Sequence, residues 1–231
     1  VVGGINQQST IEAARFYRSF VGGEVLETTA KTAEMAKLTE NSFRDVNIAF
    51  SNELSMLCDD LDIDVRELIL VANKHPRVNI LNPGCGVGGH CISVDPWFIV
   101  DAADGKAKLI EQARRTNNYK ADWVVEKIKN HALLFEKENN RAPVIACMGL
   151  AFKPDIDDLR ESPALYITKR LISDGLIVLA VEPNIGSCSN LKITEYRAAA
   201  EEADIVAFLV AHKEFRGMDV KSDLDFCGIL V

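Results

Sequence analysis

The chain changes character at Asn139-Asn140. Before this point, long stretches carry apolar residues at helical spacing, whereas after it short apolar runs rich in β-branched residues recur. The runs cover residues 144–152, 176–182, 204–210 and 228–231, and helical patterns such as SPALYITKRLISDG separate some of them. Short buried strands that alternate with helices require crossover connections, which are typical of a parallel sheet. The sequence therefore predicts an α/β protein in which an all-helical block precedes a parallel sheet.

The helical block is defined by start and stop signals as well as by periodicity. Four helices are predicted, over residues 31–61, 65–73, from 95 onward, and 109–138. Asp64 and Glu67 have the spacing of a capping box, and Asp95 is a plausible N-cap before Pro96. These helices together span about a hundred residues.

The opening of the chain differs from both parts. Residues 1–29 combine a short strand-like end with one amphipathic helix around 11–20, and they contain too little apolar sequence for a core of their own. We expect this segment to be the remnant of an upstream unit with its linker. The predicted organisation is then residues 1–29, a helical central domain over 30–138, and a sheet domain over 139–231.

Charge and cysteine usage exclude several classes of function. The formal net charge is −8, and Lys and Arg are scattered, which argues against nucleic acid or an anionic membrane as the main partner. No apolar run reaches the roughly 18 residues that a membrane-spanning helix needs. Six cysteines without a C-x-x-C pair indicate a reduced, cytoplasmic protein with mostly buried thiols.

A glycine-rich loop interrupts the helical block. Residues 84–89, GCGVGG, satisfy the G-x-G-x-x-G pattern of dinucleotide-binding loops. That pattern requires a preceding strand and a following helix, but here Pro83 interrupts a four-residue apolar run and Pro96 follows seven residues after Gly89. We therefore interpret the loop as a close backbone approach that holds a side chain, and the sequence contains no complete NAD site.

Cys91 follows this loop directly and is a candidate nucleophile, because a thiolate stabilised by amides or cations attacks carbonyl carbons readily. Three alternatives remain open. Cys91 can be an inert buried thiol, it can bind zinc with Cys85 and His90, or it can serve a hydrolase with His90 or His75 as the base.

Three separated stretches resemble one known family. AEMAKLTENSFRDVNIAFSNEL, HPRVNILNPGCGVGGHCISVDPWFIV and GLAFKPDIDDLRESP are similar, in this order, to motifs of the UDP-glucose/GDP-mannose dehydrogenase family. The GGHC-x-x-VDPWF form is most similar to members that act on UDP-N-acetyl-D-mannosamine. Members that act on UDP-glucose usually carry Ser before the cysteine and a Lys-Asp pair after it.

The resemblance implies an architecture and a reaction. Family members have an N-terminal NAD-binding domain, a helical dimerisation domain, and a Rossmann-like domain that binds the UDP-sugar. This chain matches the last two, so we expect a homodimer that lacks the main NAD domain and is inactive alone. The implied reaction oxidises the sugar C6 to a carboxylate with two NAD, through a thioester on Cys91. The alternatives are a non-catalytic UDP-sugar-binding module and a dehydrogenase for UDP-GlcNAc or UDP-glucose.

The resemblance also implies residue roles. Cys91, Lys37, Asn41 and Asp95 match the family's catalytic positions, with Asp95 activating water. Lys37, Asn41 and Arg44 are spaced to share one helix face, for which the alternative is a solvated surface.

The remaining matches concern ligands. The implied substrate-binding residues are Arg44, His75, Arg77, Gly88, Phe152 and Lys153. Arg77 is expected to reach the substrate across the dimer interface, and Lys153 to pair with the diphosphate. Arg160 is implied to contact NAD. The alternative for His75 is a helix C-terminal cap, and for Arg160 an exposed ion pair among neighbouring acidic residues.

Overall fold

A computed structural model describes residues 1–188, 191–220 and 224–230. Within these ranges the chain forms seven α-helices: α1 (Gln7–Arg18), α2 (Ala30–Asp60), α3 (Val65–Ala72), α4 (Asp95–Ala102), α5 (Lys108–Asn139), α6 (Pro163–Ser173) and α7 (Tyr196–Glu202). The strands are β1 (Val2–Gly4), β2 (Glu27–Thr29), β3 (Val144–Met148), β4 (Ile177–Val181), β5 (Ile205–Phe208) and β6 (Leu224–Asp225). None of the described helices is long and apolar enough to span a bilayer.

The main sheet has the order β4-β3-β5-β6, and all of its neighbouring strands are parallel. This confirms the predicted α/β class with a parallel sheet. One face is covered by α5 and α6, whose buried residues include Ile128 and Ile167, and the other face, which carries Phe208 of β5, packs against Phe215. The central strand β3 is almost entirely buried, as its unbroken apolar run predicts.

The prediction of a last strand over residues 228–231 is wrong for its described part. The strand β6 lies earlier, at Leu224–Asp225, and the following backbone turns back on itself. The Asp225 carboxylate accepts hydrogen bonds from the amides of Cys227, Gly228 and Leu230, which stabilises this turn. Val231 lies outside the described residues.

The first 29 residues form a β1-α1-β2 unit whose two strands pair in parallel. The sequence did not predict β2, and α1 begins earlier than expected because Asn6 caps it by accepting from the Ser9 amide at 2.9 Å. Gly3 is required here, since a Cβ atom would lie 2.3 Å from the Thr29 carbonyl oxygen. The division into three segments with boundaries after residues 29 and 138 remains a prediction.

The four predicted helices of the middle block are confirmed within a few residues. Asp64 caps α3, its carboxylate accepting from the amides of Arg66 and Glu67. Asp95, in contrast, is the first residue of α4 and not its N-cap. The residue at the cap position is Val94, which makes no side-chain capping bond.

Candidate active site

The glycine loop lies between α3 and α4, and no strand precedes it among residues 73–94, all of which the structure describes. This agrees with the interpretation that it is not a dinucleotide fingerprint. Gly86 and Gly89 have φ of 131° and 84°, so the backbone turns there suit glycine. Gly88 is buried, and a Cβ atom on it would lie 2.5 Å from the Glu161 carbonyl oxygen. Packing within the protein therefore requires glycine at position 88, and its predicted approach to the sugar stays a prediction.

The loop is tied to both halves of the molecule. The Gly84 amide donates to Asn52 on α2 at 2.9 Å, and the Cys85 thiol donates to the Leu209 carbonyl after β5 at 3.4 Å. The Gly89 amide donates to the Arg160 carbonyl at 3.0 Å. These three bonds hold the segment before Cys91 against the helical block and against the sheet at once.

Asn52 belongs to a buried polar network between α2 and α5 that sequence analysis missed. Its amide donates to Asn117 at 2.9 Å, and Asn117 donates in turn to Asp45 at 2.8 Å. Arg114 closes the network with an ion pair to Asp45 at 2.6 Å. Burial raises the pKa of Asp45 while the Arg114 guanidinium opposes that shift. The available signal was the recurrence of Asp and Asn on the face of α2 that the helical pattern turns inward.

Cys91 is half-buried at the start of the turn into α4, and its carbonyl accepts from the Asp95 amide at 2.7 Å. The Arg160 guanidinium lies near it. The pKa of Arg160 is raised chiefly by hydrogen bonds to the Asp158 carboxylate, with a smaller electrostatic contribution from Cys91. Cys85 differs sharply, because complete burial raises its pKa to about 12 and leaves it an inert thiol. Cys91 is therefore the loop cysteine with access to a ligand.

The zinc alternative finds no support in this geometry. Cys85 is directed at the Leu209 carbonyl, whereas Cys91 lies at the half-buried turn before α4. The group of three possible metal ligands found within the described ranges is a different one, formed by Asp155, His212 and Glu214.

Asn41 and Asp95 meet directly. Asn41 is buried on α2, and its side-chain amide donates to the Asp95 carboxylate on α4 at 2.5 Å. This contact explains why Asp95 does not cap its own helix. The carboxylate is drawn toward α2, one helical turn after Cys91, and it keeps a second oxygen for another partner.

Lys37 and Arg44 do not share the environment of Asn41. Both are exposed, and the Lys37 ammonium donates to Glu40 at 3.3 Å. The structure thus brings Asn41 to Asp95 but turns Lys37 toward solvent. An exposed pair of this kind contributes little, typically below about 1 kcal/mol, so Lys37 can leave Glu40 at small cost.

His75 and Arg77 lie in the exposed segment just after α3. The His75 amide donates to the Ala72 carbonyl at 3.1 Å, and its ring accepts from the Arg77 amide at 3.3 Å. The bond to Ala72 fits the alternative interpretation of His75 as a helix C-terminal cap, because Ala72 is the last residue of α3 and its carbonyl would otherwise lack a partner in the helix. A role for either residue at the substrate remains a prediction.

Phe152 and Lys153 follow β3, and the Phe152 side chain packs on the glycine loop. The Phe152 ring packs so closely on the loop that a Cβ atom at Gly89 would lie 2.9 Å from it. The Lys153 ammonium is exposed, 5.6 Å from the centre of the Phe152 ring. The carboxyl end of the central strand, where ligands of open α/β sheets bind, therefore adjoins the loop that carries Cys91.

A buried carboxylate shapes this end of the sheet. Glu182 accepts from the amides of Leu150 and Ala151 at 2.8 and 2.9 Å, and it is 3.0 Å from His212. Burial alone would raise the pKa of Glu182, but these hydrogen bonds and one from Asn184 hold it below its usual value. Sequence analysis missed Glu182, although an acidic residue that ends an apolar strand run is a usable signal.

Arg160 forms the exposed ion pair that was its alternative interpretation. Its guanidinium holds the Asp158 carboxylate at 2.6 Å and lowers the pKa of Asp158 to about 2. Asp155, by contrast, accepts from the Lys213 amide and lies outside this pair. The pair stands beside Cys91, so the two interpretations of Arg160 are compatible.

Comparison with known proteins agrees with this arrangement. Residues 31–119 match the central domain of the UDP-glucose/GDP-mannose dehydrogenase family, and residues 146–225 match its UDP binding domain. The UDP-N-acetyl-D-mannosamine dehydrogenase of Campylobacter jejuni is 55% identical over 237 residues, which cover 98% of this chain and 56% of that protein. The NDP-N-acetyl-D-galactosaminuronic acid dehydrogenase of Ralstonia nicotianae is 52% identical, over 95% of this chain and 52% of that protein.

A solved structure supports the same fold. The UDP-D-ManNAc dehydrogenase of Pyrococcus horikoshii superposes with a TM-score of 0.82 at 36% identity, over 94% of this chain and 51% of that one. The chain thus spans about half the length of the curated relatives that it matches.

Proposed function

Because the chain belongs to the UDP-glucose/GDP-mannose dehydrogenase family, we propose that it supplies the helical and UDP-sugar-binding parts of an NAD-dependent UDP-sugar 6-dehydrogenase. The proposed substrate is UDP-N-acetyl-D-mannosamine, oxidised to UDP-N-acetyl-D-mannosaminuronate for surface polysaccharide precursors in the cytoplasm. The single observation that carries the proposal is the half-buried Cys91 on a rigidly held loop, with the Asn41–Asp95 pair one turn away and Arg160 beside it.

The proposed chemistry centres on Cys91. Its thiolate adds to the C6 aldehyde and forms a carbon–sulfur bond, and a proton goes to the aldehyde oxygen. Oxidation of this thiohemiacetal gives a thioester, which keeps the reactive intermediate bound. NAD, when bound, would accept one hydride as the C6 alcohol becomes the aldehyde and a second as the thiohemiacetal becomes the thioester, and Arg160 is the residue of this chain that we assign to contact it. Its exposed guanidinium fits an anionic or carbonyl group of that cofactor.

We assign hydrolysis of the thioester to Asp95 and the residues around it. Asn41 fixes one oxygen of the Asp95 carboxylate at 2.5 Å, so the other is free to take a proton from water. The water oxygen bonds to the thioester carbon, and the carbon–sulfur bond breaks to return the Cys91 thiolate and the carboxylate product. Lys37, released from Glu40, stabilises the developing oxyanion.

The nucleotide is proposed to lie at the carboxyl end of β3. Lys153 pairs with the diphosphate, Phe152 forms a wall, and Gly88 admits the sugar. Arg44 contributes from α2. The exposed loop after β3 and its packing on the glycine loop support this position, because the sugar end of a bound UDP-sugar would then reach Cys91.

A homodimer through the helical part is also proposed, with His75 and Arg77 reaching the substrate of the partner subunit. Phe43, Phe50 and Leu57 are exposed on α2 at intervals of seven residues. An apolar stripe with this spacing is typical of a helix that packs on another helix.

Calorimetric titration of the 231-residue chain tests the substrate class. We expect UDP-N-acetyl-D-mannosamine to bind more tightly than UDP-GlcNAc, UDP-glucose or GDP, and Lys153→Met to weaken every UDP ligand about tenfold or more. Lys137→Met, at the far end of α5, is the matched control and should leave binding unchanged. Equal binding of UDP and GDP would refute the assignment, and binding without NAD reduction after an NAD-binding unit is supplied would favour a non-catalytic module. The chain alone is expected not to reduce NAD.

A further inference from the structure

A second cavity lies outside the proposed active site, where α2 ends, α3 begins, and both meet α5 and β6. Its volume is about 250 Å³, and none of its lining residues belongs to the site described above. Its polar lining includes Ser55, Arg66, Lys120, Lys127 and three aspartates, and Trp123 is among its apolar lining residues. The cavity therefore joins the helical block to the edge of the sheet.

Lys120 is the unusual group in this cavity. The residue is only 3% exposed, yet within the described ranges no carboxylate lies within ion-pair distance of its ammonium. The ammonium donates to the Ser55 hydroxyl at 2.9 Å and lies 3.7 Å from the centre of the Trp123 ring. Buried charges in proteins are normally paired, because desolvation of an isolated ion is costly. A partner of opposite charge is therefore expected.

The three carboxylates that line the cavity all have other partners. Asp59 pairs with Lys127, and Asp225 pairs with Arg66 at 3.6 Å while it also accepts backbone amides. Asp64 is occupied as the N-cap of α3. None of the three is available to neutralise Lys120.

Two further cations converge on the same place. The Lys127 ammonium lies 5.4 Å from the centre of the same Trp123 ring, and Arg66 also lines the cavity. The pKa of Lys120 is lowered to about 8, chiefly by burial and with smaller contributions from Lys127 and Arg66, whereas Cys85 and Asp59 act in the opposite direction. The cavity is thus a space that three cations border and in which one of them lacks a counter-ion.

We propose that this cavity binds a small inorganic oxyanion of the phosphate or sulfate class, held by Lys120 and Arg66 and by the Ser55 hydroxyl, which turns to the anion from the Asn52 carbonyl that it contacts at 2.7 Å. A tetrahedral oxyanion accepts several charge-assisted hydrogen bonds from ammonium and guanidinium groups, and the cavity has room for it together with ordered water, which takes about 30 Å³ per molecule. Bound there, the anion bridges α5, α2 and α3. It stabilises the junction that carries the glycine loop, since Pro83 also lines the cavity.

Thermal unfolding of the 231-residue chain tests this proposal. At constant ionic strength, millimolar phosphate or sulfate should raise the Tm above its value in chloride along a saturable curve, and Lys120→Met should abolish that saturable increment. Lys153→Met must keep the increment, which separates this site from any phosphate that binds at the proposed UDP site. Equal Tm values in phosphate and chloride, or an increment that survives Lys120→Met, would overturn the proposal.

A milder variant keeps the proposal testable if the Lys120→Met protein does not fold. Ser55→Ala removes one hydrogen-bonding group and leaves the ammonium in place. Calorimetry with inorganic phosphate should show binding to the wild-type chain that Ser55→Ala weakens about tenfold, the effect of losing one hydrogen bond to a charged group. No detectable heat with the wild-type chain, or identical affinities for the two proteins, would refute the site.

Discussion

The burial of Lys120 leads us to predict how the free energy of unfolding changes with pH, and this prediction does not depend on any ligand. Its pKa falls from 10.5 to about 8 on folding, chiefly because it is buried. One pKa unit corresponds to about 1.4 kcal/mol, so the protonated lysine opposes folding by about 3 kcal/mol when no anion is present. Below pH 8 the group is protonated in both states and the whole penalty applies.

The sign of the pH effect follows from proton counts. Between pH 8 and pH 10.5 the unfolded chain still binds the Lys120 proton and the native chain does not, so stability rises with pH over that window. From pH 7 to pH 9.5 the gain from this residue amounts to about 2 kcal/mol. Lys120→Met removes the titrating group and keeps most of the side-chain volume, so this gain should disappear.

Urea denaturation in chloride buffer at the two pH values measures the effect. Other groups titrate over the same range, so the relevant quantity is the wild-type change minus the change in Lys120→Met. A difference of about 2 kcal/mol in the predicted direction supports the buried, unpaired ammonium. A difference near zero, or one of opposite sign, would show that Lys120 is solvated or paired and would refute the reasoning.

Two further variants test how the loop is held. Arg114→Met leaves Asp45 buried without its cation and should destabilise the chain by about 3–5 kcal/mol in urea denaturation, whereas a loss below about 1 kcal/mol would mean that the pair is solvated. Gly88→Ala forces a methyl group against the Glu161 carbonyl and should lower stability by about 1–3 kcal/mol. Gly22→Ala, with nothing within 4 Å, is its control, and equal effects of the two changes would contradict the packing argument.

The fold class could be predicted from the sequence because the spacing of apolar residues and the positions of Pro and Gly can be read within a short segment of chain. The long pattern without Pro or Gly became α2, and the unbroken apolar run after Asn140 became the buried strand β3. The last strand was misplaced because residues 228–230 are apolar, while the decisive event is the capture of three backbone amides by Asp225. The spacing of apolar residues does not reveal a carboxylate that accepts hydrogen bonds from the backbone amides of a turn.

The sequence named candidate site residues but not the contacts between them. The family motifs named Asn41 and Asp95, and local sequence made Asp95 a plausible helix cap, but only the packing of α4 on α2 brings its carboxylate to Asn41. Helical spacing likewise grouped Lys37 with Asn41, although a face that is buried at one residue is exposed one turn away. Sequence analysis missed Glu182 because its partners lie after β3 and after β5, far apart in sequence.

Cys91 is the residue that we propose forms the covalent bond to the sugar. Alkylation of the 231-residue chain by iodoacetamide, followed by peptide mass spectrometry, reports the modification rate of Cys91 with Cys188 as an internal reference, since both are half-buried. Saturating UDP-N-acetyl-D-mannosamine is predicted to slow modification of Cys91 at least tenfold and to leave Cys188 unchanged. If the nucleotide sugar binds by calorimetry and Cys91 is still alkylated at its original rate, the proposed role of Cys91 is wrong.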